Sequence, residues 1–236
     1  MLDAAGDSPQ RLEMLAGRRL TGEPLAWITG RTEFCGVQVR IDPGVYVPRW
    51  QSEPLARRGV ERLPSRGVAI DLCTGSGAVA RVLLTHRPDA RVVAGDLDGR
   101  AVACARSNGV EVYQGNLFDP LPQELSGQAD LVTAVVPYVP TLELPRLQRD
   151  TFTFESPLAY DGGPDGTAVL RRVLADGVRY LKPGGAILLE LGGRQADQLA
   201  GDLARLGYVD VRVLRDDEDD VRGIEASFRK RPNRAR

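Results

Sequence analysis

The sequence contains few of the residues that build metal sites or support histidine chemistry. There is one histidine, His86, and the three cysteines, Cys35, Cys73 and Cys104, show no metal-ligand spacing. We therefore predict no zinc site and no histidine base. The cysteines are interpreted as small buried apolar residues, and we expect the protein to reside in the reducing cytosol.

An excess of charge of one sign is also missing. The chain has 31 basic and 32 acidic residues, so its net charge is −1 and no overall field favours nucleic acid or an anionic membrane. Only two of the basic residues are lysine, which suggests a GC-rich coding sequence more than an RNA-binding surface. The basic segment 229–236 is interpreted as a frayed terminus. No direct nucleic-acid partner is expected.

Long apolar runs are absent as well. No stretch approaches the roughly 20 apolar residues that cross a bilayer, and the start of the chain lacks the basic and apolar regions of a signal peptide. No membrane partner is therefore expected. The 236 residues are 42% hydrophobic and 27% charged, which is ordinary for one globular domain with a small appendage.

The first 47 residues predict a helix followed by a β-hairpin. Ser8-Pro9 can cap and start the helix. Apolar residues then alternate over 37–41, Asp42-Pro43-Gly44 forms a turn, and residues 45–47 are predicted as the returning strand. Pro48 ends this unit, so we expect an N-terminal region of residues 1–47 and a main domain of residues 48–236.

The main domain alternates between helical and strand patterns. After a helix over 53–63, five short strands are predicted with helices among them, in the segments "GVAIDL", "RVVAGD", "VEVYQG", "ADLVTAVV" and "GGAILLEL". This alternation favours a parallel sheet covered by helices on both faces. The last strands, "YVDVRVL" and "GIEASF", have no helix between them, which requires an antiparallel hairpin at one sheet edge.

A glycine-rich turn, "CTGSGA", joins the first strand of the main domain to the following helix. Gly75 and Gly77 let the backbone turn tightly and approach a ligand, because a Cβ would intrude there. The N-terminus of the helix points to the same place. The pattern alone also fits a dinucleotide-binding turn or a purely structural one.

Polar residues at the tips of the next two strands predict a nucleoside. Asp96 can accept hydrogens from both ribose hydroxyls, and Asn116 can bond a base edge while Leu117 packs on the ring. Asp71, at the tip of the first strand, would be a poor neighbour for the pyrophosphate of NAD but a good one for the ammonium of a methionine moiety. We therefore favour S-adenosylmethionine over NAD.

Several segments, occurring in order, carry a family resemblance: "GEPLAWITGRTEFCGVQVRIDPGVYVPR", "DLCTGSGAVA", "AGDLDGRAVACARSN", "GNLFDPLP", "PLAYDGGPDGTAVLRRVL" and "LKPGGAILLELGGRQ". Together they resemble the protein glutamine amide methyltransferases. Those enzymes methylate the Gln of the Gly-Gly-Gln loop of peptide-chain release factors, or a Gln of a ribosomal protein. The resemblance runs from about Gly22 to the C-terminus.

The resemblance implies a fold class and a set of cofactor-binding residues. The fold is an α/β class I S-adenosylmethionine-dependent methyltransferase, Rossmann-like, with a mostly parallel seven-stranded sheet and a C-terminal antiparallel hairpin. By motif match, the residues near the cofactor are Pro48, Arg49, Cys73, Thr74, Gly75, Ser76, Gly77, Asp96, Asn116 and Leu117. The implied partner is a release factor or a ribosomal protein.

The sequence departs from the family in three places. Where the family reads Pro-Arg-Pro-Glu-Thr-Glu, residues 48–53 read Pro-Arg-Trp-Gln-Ser-Glu. The family begins with a helical bundle, whereas only about 20 residues precede Gly22, so most of that bundle is expected to be missing. The family's Asn-Pro-Pro-Tyr motif is replaced by Val135, Val136, Pro137 and Tyr138, the candidate catalytic residues.

The valine at position 135 removes a hydrogen-bond acceptor. In the motif, the Asn side chain and the next backbone carbonyl accept the two amide hydrogens and so orient the nitrogen. An unmade buried hydrogen bond costs about 1–3 kcal/mol.

Three hypotheses follow: a methyltransferase acting on a glutamine amide of a translation protein, a silent paralogue that binds the cofactor, and a methyltransferase for another protein, a small molecule or a nucleic-acid amine. The first is the main expectation.

Overall fold

A computed structural model describes residues 1, 4, 6, 8–147 and 149–229, apart from the side chains of 149–151. The basic segment interpreted as a frayed terminus lies outside the described residues from position 230 onward. Within the described ranges, no helix is both long and apolar enough to cross a lipid bilayer.

The N-terminal region begins with the predicted helix, α1 (Pro9–Leu20). The Ser8 side chain accepts a hydrogen bond from the Arg11 amide and Pro9 occupies the first turn, which confirms the predicted start. A short helix that the sequence analysis did not predict, α2 (Leu25–Thr29), follows it.

The hairpin lies earlier in the chain than predicted. Its strands are β1 (Arg31–Phe34) and β2 (Val37–Arg40), which pair antiparallel. Residues 42–45 do form a turn, since the Val45 amide bonds the Asp42 carbonyl, but the predicted returning strand over 45–47 was wrong. That segment is held by side chains instead, because Trp27 Nε1 bonds the Val45 carbonyl and Glu155 accepts the Val47 amide.

The main domain is built on the predicted alternation. Its strands are β3 (Val68–Leu72), β4 (Arg91–Asp96), β5 (Glu111–Gln114), β6 (Ala129–Ala134), β7 (Leu181–Glu190), β8 (Tyr208–Arg215) and β9 (Val221–Phe228). Its helices are α3 (Glu53–Arg62), α4 (Ala78–His86), α5 (Gly99–Ser107), α6 (Arg149–Phe154), α7 (Ala168–Tyr180) and α8 (Gln195–Leu206).

The seven strands form one sheet in the order β5-β4-β3-β6-β7-β9-β8. The pairs among β3 to β7 are parallel, and β9 pairs antiparallel with both β7 and β8. This confirms the predicted parallel sheet with a terminal antiparallel hairpin. The structure adds that β9 is inserted between β7 and β8.

Apolar layers cover both faces of the sheet. One buried cluster joins β1 and β2 to α3, α4 and α5, and the other joins α7 and α8 to the opposite face. The hairpin residues Phe34, Val39 and Ile41 belong to the first of these clusters, so the hairpin packs on the core of the main domain. The predicted division of the chain between residues 47 and 48 stays a prediction.

The strand order reverses between β3 and β6. The chain moves outward from β3 through β4 to β5 in one direction, and from β6 to β7 in the other. Leu72 and Ala134, the last residues of β3 and β6, are register partners. The carboxyl ends of these strands therefore open a crevice at the point where open α/β sheets bind ligands.

Candidate active site

A cleft of about 1160 Å³ runs along the carboxyl ends of β3, β4, β6 and β7. All the predicted site residues except Gly77 line it. The turn after β3 and the tip of β4 lie beside the loop after β6 because β3 pairs with both neighbouring strands. The fold thus places the predicted cofactor residues and the predicted catalytic loop in one cavity.

The glycine-rich turn has a left-handed backbone at Cys73, Gly75 and Gly77, with φ of 53°, 57° and 79°. A Cβ added to Gly75 would meet nothing within 4 Å, which leaves the turn open toward the cleft. A Cβ on Gly77 would lie only 3.0 Å from Val110 and 3.1 Å from Ala105. Gly77 therefore allows the turn to pack against α5, which differs from the expectation that it makes room for a ligand.

Asp71 ends up almost fully buried at the tip of β3, with 1% of its surface exposed. One carboxylate oxygen accepts the Thr74 hydroxyl at 2.5 Å and the other accepts the Thr133 hydroxyl at 2.7 Å. Burial raises the pKa of Asp71 to about 6, although both hydroxyls oppose the rise. At neutral pH the group is a fixed negative charge beside the cleft, which suits a neighbouring ammonium.

This raised pKa predicts a pH-dependent stability. The folded protein keeps the Asp71 proton up to about pH 6, whereas the unfolded chain loses it near pH 4. The protonated Asp71 carboxyl therefore contributes to the free energy of unfolding in full below about pH 4, and this contribution is lost as the pH rises through about 6. Between these limits we expect the unfolding free energy of the wild type to fall by about 2–3 kcal/mol relative to Asp71→Asn. Denaturant titrations across the pH range measure the difference, and parallel curves would contradict it.

Asp96 is held at the tip of β4 by backbone amides. Its carboxylate accepts the Gly75 amide at 2.8 Å and the Asp98 amide at 3.0 Å. Burial raises its pKa, and these two hydrogen bonds oppose the rise. Each oxygen has a second lone pair, so the carboxylate can accept further hydrogens from a diol in the cleft.

Apolar surface lies beside Asp96. Leu97, which the sequence analysis did not select, lines the cleft with 61% of its surface exposed. Leu117 has a left-handed backbone, with φ of 52°, and is buried, while Asn116 next to it is exposed. The signal available in the sequence was a leucine between Asp96 and Asp98, just after a predicted strand. Leu97 and Leu117 offer apolar surface to an aromatic base.

Arg49 lines the cleft, but its guanidinium already forms an ion pair within the protein. The guanidinium donates to the buried carboxylate of Glu155 at 2.6 Å and to the Tyr160 hydroxyl at 3.3 Å, and it lies 5.2 Å from the Tyr46 ring centroid. Pro48 lines the cleft next to it. Arg49 thus ties the segment after the hairpin to the insert between β6 and α7.

The candidate catalytic loop leaves β6 at Val135. Val135 is partly buried and packs against the cluster on the α3 and α4 side, and Val136 is buried. The Tyr138 carbonyl accepts Gln195 Nε2 at 2.7 Å, and the Tyr138 hydroxyl donates to Glu190 at 2.9 Å. The loop is therefore fixed at Tyr138, and the side chain at position 135 offers no acceptor.

A glycine loop supports this arrangement from behind. A Cβ on Gly162 would lie 2.7 Å from the Tyr138 Cα, and a Cβ on Gly166 would collide with the Tyr138 carbonyl oxygen. The "DGGPDG" segment is thus required for close backbone packing behind Tyr138.

Glu190 is a site residue that the sequence analysis did not select. It ends β7, lines the cleft and is 3% exposed. Burial raises its pKa, and the nearby hydroxyls of Ser52 and Tyr138 oppose the rise. Oε1 accepts the Tyr138 hydroxyl, whereas Oε2 has no hydrogen-bond partner among the described residues.

The arrangement fits S-adenosylmethionine. The cleft supplies one buried carboxylate for an ammonium, one amide-held carboxylate for a diol, and a turn at Gly75 that has free space before it. When bound, this cofactor supplies an activated methyl group on a sulfonium. Asp71 would hold the methionine end, Asp96 the ribose, and Leu97 and Leu117 the adenine.

Comparison with other sequences points to the same chemistry. The sequence model of the FtsJ-like methyltransferase family matches residues 55–211. A release factor glutamine methyltransferase of Geobacter sulfurreducens is 34% identical over 208 residues, covering 86% of this chain and 72% of the relative. One from Neisseria gonorrhoeae is 37% identical over 214 residues, covering 88% and 77%. A 4-amino-L-phenylalanine/4-methylamino-L-phenylalanine methyltransferase of Streptomyces pristinaespiralis is 37% identical over 202 residues, covering 81% and 68%.

Solved structures support the fold. A methyltransferase from Pyrococcus furiosus superposes with a TM-score of 0.58 at 17% identity, covering 94% of this chain and all of that one. A 16S rRNA N2 methyltransferase from T. thermophilus, solved with AdoMet and guanosine, superposes with a TM-score of 0.55 at 20% identity, covering 85% of this chain and 44% of that one. With the sequence matches and the cleft taken together, this chain belongs to the release factor glutamine methyltransferase family of S-adenosylmethionine-dependent enzymes.

Proposed function

We propose that this chain transfers the methyl group of S-adenosylmethionine to the side-chain amide nitrogen of a glutamine in a peptide-chain release factor. The observation that carries the proposal is the position of loop 135–138. It leaves β6 directly beside the tip of β3, where Asp71 and the glycine-rich turn form the predicted methionine end of the cofactor site. A nitrogen held at this loop therefore lies next to the methyl donor.

Positioning is the main task of the protein in this reaction. An amide nitrogen is a weak nucleophile because its lone pair is delocalised into the carbonyl. In the transfer, the nitrogen lone pair forms the new N–C bond, the electrons of the C–S bond stay on sulfur, and the nitrogen releases one proton to water. Since the methyl group is already activated, holding the nitrogen in line supplies most of the acceleration.

The rim of the cleft suits a polypeptide. Trp50 and Leu158 line the cleft with 59% and 74% of their surfaces exposed, and Leu142, 87% exposed, lies on the same insert as Leu158. Exposed large apolar side chains at the mouth of a cavity are typical of a surface that meets a partner. They support a protein substrate whose loop enters the cleft.

An aromatic amine of a free amino acid is the second candidate substrate. It is favoured by Val135, which offers apolar surface where the motif has an amide, and by the similarity to the Streptomyces pristinaespiralis enzyme named for 4-amino-L-phenylalanine. An aromatic amine is a stronger nucleophile than an amide and depends less on hydrogen bonds that orient it.

Purified proteins distinguish these substrates. We expect labelled S-adenosylmethionine to transfer its methyl group to a purified release factor, and mass spectrometry to place the label on the Gln of its Gly-Gly-Gln loop. A release factor with glutamate at that position is the control and should stay unlabelled. Label on 4-amino-L-phenylalanine but not on the release factor would replace the proposal by the second candidate. Cofactor binding without transfer to either would indicate a silent paralogue.

A further inference from the structure

A second acceptor stands beside the position where the motif has asparagine. Ala134 of β6 and Leu189 of β7 are register partners in a parallel pair. The next residues, Val135 and Glu190, therefore leave neighbouring strand ends together. Side chains alternate between the faces of a sheet, so these two side chains leave on the same face. Glu190 thus brings a carboxyl group to the place where Val135 has none.

One oxygen of the Glu190 carboxyl group accepts a hydrogen bond within the protein, and the other can accept one from a ligand. Oε1 accepts the Tyr138 hydroxyl at 2.9 Å. Oε2 is buried and lacks a partner within the described part of the chain, as do Gln51 Oε1 and the Ser52 hydroxyl. All three of these residues line the same cleft. The Ser52 hydroxyl lies near Glu190 and can donate to its carboxylate. The remaining lone pairs of Glu190 Oε2, together with Gln51 Oε1, leave this recess, formed by Gln51, Ser52 and Glu190, with acceptors for donors of a ligand.

The neighbouring cation does not satisfy the carboxylate. Arg222 lines the cleft near Glu190, but its guanidinium is bound to Asp216 at 2.6 Å and to Asp220 at 3.1 Å. It also lies 5.3 Å from the Trp50 ring centroid. Its charge is therefore shared with groups outside the recess, and among the described residues it makes no hydrogen bond to Oε2 of Glu190.

We propose that Glu190 Oε2 accepts an N–H of the substrate nitrogen and so replaces the missing asparagine oxygen. The inference rests on the proposed function and narrows its substrate class to a neutral nitrogen with two hydrogens, as in a primary amide. One hydrogen points to Glu190 and the other to a backbone carbonyl of the loop after Val135.

The test is a double-mutant cycle on methyl transfer to the release factor. Glu190→Met removes both oxygens with little change in length. We expect kcat/KM to fall by about ten- to a hundredfold, with the affinity for S-adenosylmethionine unchanged. Val135→Asn in the Glu190→Met background should restore most of the rate, because it returns an acceptor beside the same nitrogen. A purely structural role for Glu190 would not be rescued in this way.

Two further variants keep the test decisive. Glu190→Gln retains an oxygen and should lose much less rate than Glu190→Met. Val135→Asn alone should raise the rate much less than it does in the Glu190→Met background, because an acceptor is already present beside the nitrogen. A gain of tenfold or more from Val135→Asn alone, or no rescue in the double variant, overturns the inference while transfer by the wild type stands. A wild type that does not label the release factor overturns the proposed function, and the inference with it.

Discussion

Asp96→Ala is expected to weaken the binding of S-adenosylmethionine by more than about a hundredfold. The substitution removes the carboxylate that would accept two ribose hydroxyls, and each hydrogen bond to a charged group is worth about 1.5–3 kcal/mol. It also leaves the Gly75 amide without the acceptor that holds the glycine-rich turn at 2.8 Å. Isothermal titration calorimetry with the purified protein measures the loss.

Asp98→Asn is the matched control for Asp96→Ala. Asp98 lies on the same loop and lines the cleft, but its carboxylate caps α5 and binds Arg100. Asparagine caps helices about as well as aspartate, so we expect little change in affinity. Equal losses in both variants, or a loss below about tenfold in Asp96→Ala, would place the ribose elsewhere.

Gly166→Ala is expected to abolish methyl transfer and to destabilise the protein by at least about 3 kcal/mol. The backbone at Gly166 is left-handed, with φ of 74°, and the new methyl group would collide with the Tyr138 carbonyl and Gln195 Nε2. These two groups form the hydrogen bond that fixes the candidate catalytic loop. Rate assays and thermal unfolding of the same preparation measure both effects.

Gly192→Ala is the control for the glycine substitution. A Cβ at Gly192 also faces Tyr138, but only its ring edge, at an ordinary distance of 3.9 Å, and the backbone there is not left-handed. We expect it to retain the stability and the rate of the wild type. If Gly166→Ala behaves like Gly192→Ala, the loop does not depend on close packing against residues 162–166.

The architecture of the main domain followed from the sequence because its signals were local. Short strands of four to six residues bounded by glycine or polar residues, and helices with caps such as Asp98, are set by short-range patterns. The absence of a helix between β8 and β9 predicted their antiparallel pairing. The insertion of β9 between β7 and β8 depends on pairing between strands that are distant in the chain, which no local pattern encodes.

The hairpin was misplaced because an unusual turn was overlooked. Asp42-Pro43-Gly44 is a familiar turn sequence, whereas the observed hairpin turns through Cys35 and Gly36, with φ of 51° and 75°. Two left-handed residues are what a two-residue hairpin needs, but cysteine seldom adopts that backbone. The packing of Phe34 and Val37 in the core offsets the strain.

The sequence predicted the site residues that belong to motifs at strand ends. It did not predict the site residue whose position depends on the register between two strands. Asp71 and Asp96 lie at the carboxyl ends of apolar strands, so their meeting in one crevice follows from a parallel sheet. The position of Glu190 beside Val135 depends on the register of β6 against β7, which the sequence does not reveal. With the proposed role of Glu190, the loss of the motif asparagine would cost less activity than the sequence alone indicates.

The most direct test of the account is methyl transfer from labelled S-adenosylmethionine into an extract of the source cells, with the proteins separated afterwards. Calorimetry on the purified enzyme used in this assay confirms that it binds the cofactor. We expect one labelled protein, a release factor, which would show that valine at position 135 is compatible with methyl transfer. Cofactor binding with no labelled protein in the extract would contradict it.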